Sequence, residues 1–212
     1  MKIFAIELSS RHGSMALVEN GAVTAEKKWE EDFKNRQQLF DCLAELGVDW
    51  DGIDLFAVGR GPGAFSGLRI GFSVVNALAA PSGKPVYALN SGAALAAQTQ
   101  AARVAVVGDA RRNKVWAGVF ANSKLEKEFQ LLERDELAAF VPKETLVVSP
   151  DHDRLDELLQ NFQTLENATP VFPTAGKLGE LVFQRLEEGM ESEPFEPLYM
   201  HPPVFIAPRF PA

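Results

Sequence analysis

One cysteine, three histidines and two tyrosines are all that 212 residues contain of those types, and this scarcity excludes several kinds of chemistry. A single thiol, Cys42, permits neither an internal disulfide nor a cysteine-based metal cluster. It stands among Leu39, Leu43 and Leu46 and reads as a small core residue. His12, His152 and His201 are too far apart to form the i, i+4 pair of a helical metal site. Zinc or iron needs several converging imidazole, thiolate or carboxylate ligands, so no metal and no cofactor is expected. Asp151-His152-Asp153 follows Pro150 and reads as a helix start, with carboxylates at the positive end of the helix. Long apolar runs are also missing, and MKIFAIELSS is too short for the apolar region of a signal peptide, which predicts a soluble cytoplasmic protein away from membranes. Positive charge is in deficit: 21 Lys and Arg stand against 29 Asp and Glu, a net charge of −8. That balance disfavours unaided binding to nucleic acid or anionic lipid.

What the chain does have is glycine in one place. Residues 59–71, GRGPGAFSGLRIG, lie between the apolar segment Ile53–Val58 and an amphipathic one from Ile70 to Ala80. The pattern predicts a strand, a tight turn in which glycine permits close approach or positive φ, and a helix starting near Ser66 or Gly67. Unpaired N–H groups at such a helix start suit an anion or a carboxylate. No Lys-Ser or Lys-Thr pair follows the glycines, so this is not a Walker motif, and the spacing is not a dinucleotide fingerprint. Arg60, Arg69, Arg111, Arg112 and Lys114 are the basic groups near predicted loops. They form no long basic stripe and no aromatic ladder for stacking bases.

In chain order, Lys2–Leu8 predicts a strand, Ser14–Glu19 a second, and Asn20-Gly21 a hairpin into a third at Ala22–Trp29. A helix over Asn35–Gly47 follows, then a strand at Leu55–Val58, the helix after Gly67, a strand at Pro85–Leu89 and a short helix capped by Asn90 or Ser91 that reaches about Gln100. The second half starts alike. Arg103–Gly108 ends in Asp109 as the first strand ends in Glu7, and strands at Lys114–Phe120 and Leu125–Leu132 follow. Helices are expected over Arg134–Phe140, Arg154–Asn161 and Ala175–Glu188, and a strand at Thr145–Val148. The likeness predicts two related βββαβα-type α/β lobes, residues 1–101 and 102–193. A proline-rich tail, 194–212, carries Leu198, Tyr199, Val204, Phe205, Ile206 and Phe210, enough apolar anchors to lie extended on the body or a partner.

Four segments together resemble one family. Ile3-Phe4-Ala5-Ile6, the run from Gly59 to Gly71, Asp109-Ala110-Arg111 and Glu196-Pro197-Leu198-Tyr199 resemble, in order, the first strand, the signature, the second-lobe start and the late Pro-x-Tyr segment of the bacterial TsaB (YeaZ) proteins. These are relatives of the glycoprotease-like TsaD in the superfamily of actin and hexokinase. The resemblance implies the actin-like ATPase (RNase H-like) fold. It implies a non-catalytic assembly role in threonylcarbamoylation of adenosine 37 of tRNA, with a TsaD-like protein as direct partner. A TsaE-like ATPase belongs to the same complex, and tRNA is met only through that complex.

Carried onto this chain, the partner interface falls on the two helices of the first lobe, at Asn35, Leu39, Leu43, Gly67, Ile70, Gly71, Val74 and Leu78. The same face would serve a homodimer. The chain departs from the family pattern at Glu7, where Asp is usual, and at Asn35-Arg36-Gln37, where a His-led segment is common. The superfamily also implies an alternative. Glu7, Ser9, Ser10, Asp109 and Arg111 stand where nucleotide and cation sit in its kinases, which keeps open a vestigial site or a nucleotide-dependent phosphotransferase or hydrolase. A self-associating scaffold outside tRNA modification is the third reading.

Overall fold

The computed structural model describes residues 1–30, 37–165 and 171–202. Asn35, Arg36, Val204, Phe205, Ile206 and Phe210 therefore lie outside the described residues. The first half forms strands β1 (Lys2–Glu7), β2 (His12–Glu19) and β3 (Ala22–Glu30), helix α1 (Gln38–Glu45), strand β4 (Leu55–Gly59), helix α2 (Phe65–Ala79), strand β5 (Val86–Leu89) and helix α3 (Ser91–Ala96). The second half forms β6 (Arg103–Arg111), β7 (Lys114–Ala121) and β8 (Lys124–Glu133), a 3-10 turn at Arg134–Glu136, then α4 (Leu137–Phe140), β9 (Leu146–Val148), α5 (His152–Leu159), β10 (Gln163–Thr164) and α6 (Ala175–Glu187).

Two five-stranded sheets result, in the orders β3-β2-β1-β4-β5 and β10-β9-β6-β7-β8. Read from opposite ends the two orders are the same: an antiparallel meander whose first strand pairs in parallel with the strand after the first helix. The second turn of each meander uses the same device. Asn20 and Gly21 in the first sheet, and Asn122 and Ser123 in the second, all adopt positive φ, the geometry that matches the twist of a tight hairpin.

Side chains alternate along the strands and so sort into three cores. Ile3 and Ala5 of β1 face one way, Phe4 and Ile6 the other. Likewise Val104 and Val106 of β6 point away from Ala105 and Val107. The central core lies between the sheets and holds α3 and α6. α1 and α2 cover the outer face of the first sheet, and α4 and α5 that of the second. The actin-like α/β architecture is thus five layers deep, helices outermost and in the middle.

Several elements differ from their sequence reading. β2 begins at His12, α3 ends at Ala96 short of Gln100, and the two-residue β10 has no periodicity long enough to read. The larger difference is α6, grouped with the second lobe from its order in the chain. Its buried residues Ala175, Leu178 and Val182 pack with Ile3, Ala5, Ala16 and Val18 of the first sheet. Gly179 makes this possible, because a β-carbon there would press on Val18 at 2.6 Å. Amphipathic spacing shows that a helix has an apolar side without showing which sheet receives it.

Phe129 of β8 joins the halves from the other direction. Its ring lies against Gly118 of β7, where a β-carbon would come within 2.7 Å, and fills the space beside Gly92 of α3.

Candidate functional site

The glycine-rich turn is folded over the end of β1. The Arg60 N–H donates to the Leu89 carbonyl at 2.9 Å and the Ala64 N–H to the Ser9 carbonyl at 2.7 Å. Gly61 has φ of +92°, a conformation that side chains disfavour. At Gly63 and Gly67 a β-carbon would overlap the backbone carbonyls of Ser9 and Leu8. These glycines let α2 start directly on the end of its own sheet.

Glu7 sits beneath this turn and is fully buried. Its Oε1 accepts the Ser9 N–H at 2.6 Å and its Oε2 accepts the Ser91 hydroxyl, also at 2.6 Å. The Ser91 hydroxyl oxygen in turn accepts the Gly61 N–H at 3.0 Å, while the Ser91 N–H donates to the Gly61 carbonyl at 2.8 Å. Burial pushes the Glu7 carboxyl above the ordinary range, and the bonds from Ser9 and Ser91 oppose the rise. Ser10 makes a local turn, exchanging hydrogen bonds with the backbone of His12.

Asp109 stands at the matching place in the second sheet. It accepts the Arg111 N–H at 2.9 Å and pairs with the Arg111 guanidinium at 3.1 Å. Its own N–H donates to Asp151 at 3.0 Å. Burial raises the Asp151 carboxyl, with the Asp109 N–H and Arg154 acting the other way. Across the halves, Arg11 pairs with Asp153 at 2.8 Å. The sequence-predicted set thus forms two separate clusters, Glu7 with Ser9 and Asp109 with Arg111, and no hydrogen bond or ion pair joins them among the described residues. Among the described residues, no group of three or more His, Cys, Asp or Glu is placed to hold a metal ion.

The predicted interface residues divide by side. Leu39, on α1, and Gly71, on α2, are buried, so neither belongs to an exposed strip. Gly71 faces Val58 at 3.6 Å and Leu8 at 3.8 Å, where its small size serves packing within the half. Gly67 serves the same purpose against Leu8. Leu43, Val74 and Leu78 are half-buried against the outer core, and Ile70 is 48% exposed. The buried side of α2 is Leu68, Gly71, Phe72, Val75 and Ala79. The spacing of Ile70, Val74 and Leu78 marks the outer flank.

On these two helices the exposed aromatics are Phe40 of α1, 63% exposed, and Phe65 at the start of α2, 58% exposed, neither of them singled out from the sequence. Arg69 lies over the Phe65 ring at 5.0 Å. Both rings interrupt otherwise polar helix positions, which is the signal that could have found them. α1 packs over β2 and β3 and α2 over β1, β4 and β5, so their outer flanks cover neighbouring halves of one face.

The fold and these clusters define a protein of the actin-like α/β class with glycoprotease-like relatives. The family model for TsaD, tRNA N6-adenosine threonylcarbamoyltransferase, matches residues 25–128. A tRNA threonylcarbamoyladenosine biosynthesis protein TsaB of Escherichia coli (strain K12) is 29% identical over 195 residues, 87% of this chain and 79% of that protein. Its namesake from Haemophilus influenzae is 27% identical over 61% of this chain and 58% of its own length. The solved structure of YeaZ from Pseudomonas aeruginosa superposes with a TM-score of 0.76 at 27% identity, covering 93% of this chain and 99% of that one. A dehydratase activator from Clostridium difficile with bound ADPNP shares the fold at a TM-score of 0.53 and 10% identity. The chain is thus similar to the TsaB (YeaZ) proteins over most of its length. Among the described residues, no helix is long and apolar enough to cross a membrane.

Proposed function

We propose that this chain is a non-catalytic assembly partner of a TsaD-like transferase in threonylcarbamoylation of adenosine 37 of tRNA, working in the cytoplasm. The observation that supports this most is the outer face of α1 and α2, where Phe40, Phe65 and Ile70 are exposed beside half-buried Leu43, Val74 and Leu78. Large apolar side chains left exposed on two helices that cover one face of a sheet favour a protein partner. A TsaD-like protein is the occupant in the working complex, and a second copy of this chain takes the same face when that partner is absent. The TsaE-like ATPase joins through the pair.

The non-catalytic part of the reading is supported by Glu7, whose two carboxylate oxygens are engaged by Ser9 and Ser91 inside the lobe. Asp109 is likewise engaged by Arg111. A net charge of −8 gives the isolated chain weak affinity for tRNA at physiological salt. Its effect arises by favouring one state of the transferase.

The test is reconstitution of threonylcarbamoyl transfer from the TsaD-like protein, the ATPase partner and the enzyme making the activated intermediate, with and without this chain. A large gain in product on adding it is expected, with no tight tRNA complex of the chain alone. Equal yield in both reactions overturns the assembly role.

A further inference from the structure

After α6 the chain turns at Gly189 and runs along the free edge of the first sheet. The Ala88 N–H of β5 donates to the Ser192 hydroxyl at 2.9 Å, and the Glu193 N–H donates to the Ala88 carbonyl at 3.1 Å. The Tyr87 hydroxyl donates to the Glu191 carbonyl at 2.7 Å. An edge strand is thereby covered by the chain's own tail.

Glu193 holds the tail to three other elements. Its Oε1 accepts from the Asn90 side chain at 2.7 Å and from Arg185 of α6 at 3.3 Å. Its Oε2 accepts the Asn90 N–H at 3.1 Å and lies 3.4 Å from Arg60 of the glycine-rich turn. Arg60 also donates to the Glu196 carbonyl at 3.0 Å, and its own carbonyl accepts the Leu198 N–H at 2.7 Å. Farther on, Phe195 packs on Phe72 and Tyr199 on Phe65, with ring centroids 4.9 and 5.0 Å apart. These two residues of α2 lie about two turns apart, so the tail grips both ends of the first half of that helix. At His201 the tail reaches the second sheet, where Nε2 lies 2.6 Å from the Ala110 carbonyl.

We propose that residues 190–201 are a brace that sets α2 relative to the second sheet, that Glu193 is the positioning residue which seats it, and that partner affinity depends on that seating. The physical argument is one of satisfaction and reach. α2 has no side-chain cap at Ala64, so its start is held by the turn below and the tail rings above. Arg60 is nearly buried, and its counter-charge is Glu193; removing that carboxylate leaves the guanidinium desolvated with carbonyl partners alone. Pro194 and Pro197 restrict the unattached tail, which lowers the entropy lost when it seats.

The claim about affinity rests on the proposed assembly function; the claim about the brace does not. Two arms of one experiment separate them, both on the full chain. In the first, hydrogen exchange compares wild type with Glu193→Gln and Glu193→Ala. Exchange at Asn90 and Leu198 rises roughly tenfold, and a smaller rise appears in the turn at Asp109–Lys114, as expected for loss of a local restraint. An unchanged turn at Asp109–Lys114 overturns the brace.

The second arm measures affinity for the TsaD-like protein by calorimetry. Glu193→Ala and Tyr199→Ala each weaken binding roughly tenfold, and the double variant weakens it little further, the non-additivity of two residues acting through one element. A general loss of stability would not produce that pattern. Full affinity in Glu193→Ala alongside binding by wild type overturns the positioning role. Absence of binding by wild type instead overturns the assembly function and leaves the exchange result standing.

Discussion

Glu7 occupies the room that Gly59 leaves: the carboxylate of β1 lies where a β-carbon on residue 59 of β4 would stand, and from there it reaches Ser91 at 2.6 Å. The two residues are complementary in size. The pairing ties the ends of β1 and β4 to the start of α3, beneath the turn that launches α2.

Gly59→Ala therefore destabilises the protein although alanine favours most backbones. The added methyl drives Glu7 off its partners, and overpacking with a lost buried bond costs about 3 kcal/mol. Urea denaturation measures it. A change below about 0.5 kcal/mol, the range of surface substitutions, would show that Glu7 moves aside freely.

Glu7 also gives stability a pH dependence with a definite sign. Its folded pKa is raised from 4.5 by burial, so the native state keeps a proton that the unfolded chain has lost. Stability from this group is fully present below the unfolded value and falls as pH rises to the raised folded value, then stays level. Glu7→Gln, which cannot ionise, removes that fall. Urea midpoints of the two proteins between about pH 4 and pH 8 should diverge in the variant's favour as pH rises. Parallel curves would assign the titration to another group.

The outer flank yields a surface test. Phe40→Asp and Ile70→Asp change exposed positions, so each should leave stability within about 0.5 kcal/mol. Each should still weaken capture of the TsaD-like protein by at least about tenfold, as loss of an apolar anchor does. Retained capture in both, with circular dichroism unchanged, places the partner elsewhere. Gly71→Leu is a poorer probe, because Gly71 is buried against Val58 and the substitution disturbs the core first.

Phe129→Ala tests the junction of the halves. The ring bridges Gly118 and Gly92, and neither glycine has a side chain to fill its absence. A cost of about 3 kcal/mol is expected from thermal unfolding. A second, separate unfolding step in the variant would show that the halves then melt independently.

Much of this was legible in the sequence because it is local. Asn20-Gly21 announced a hairpin, and the run from Gly59 to Gly71 announced a strand, turn and helix, since each conformation depends on residues within a few positions of itself. The side chosen by α2 was not legible. Leu68, Phe72 and Val75 and the flank of Ile70, Val74 and Leu78 are both apolar, and spacing cannot rank two apolar sides. Nor was the role of Glu193, whose partners Asn90 and Arg60 lie more than 100 positions away. Ser91 was read as a possible cap; Asn90 caps the helix instead, and Ser91 turns inward to Glu7.

The packing of α6 on the first sheet has a consequence for the order in which a ribosome can complete this protein. β1 to β5 emerge early, yet the face bearing Ile3, Ala5 and Val18 lacks its cover until Val182 leaves the exit tunnel. At synthesis rates of ~5–20 residues per second, that apolar face waits on the order of ten seconds for its helix. During that interval the nascent first half presents a sticky sheet, and a fragment ending near residue 101 would keep that state permanently and precipitate.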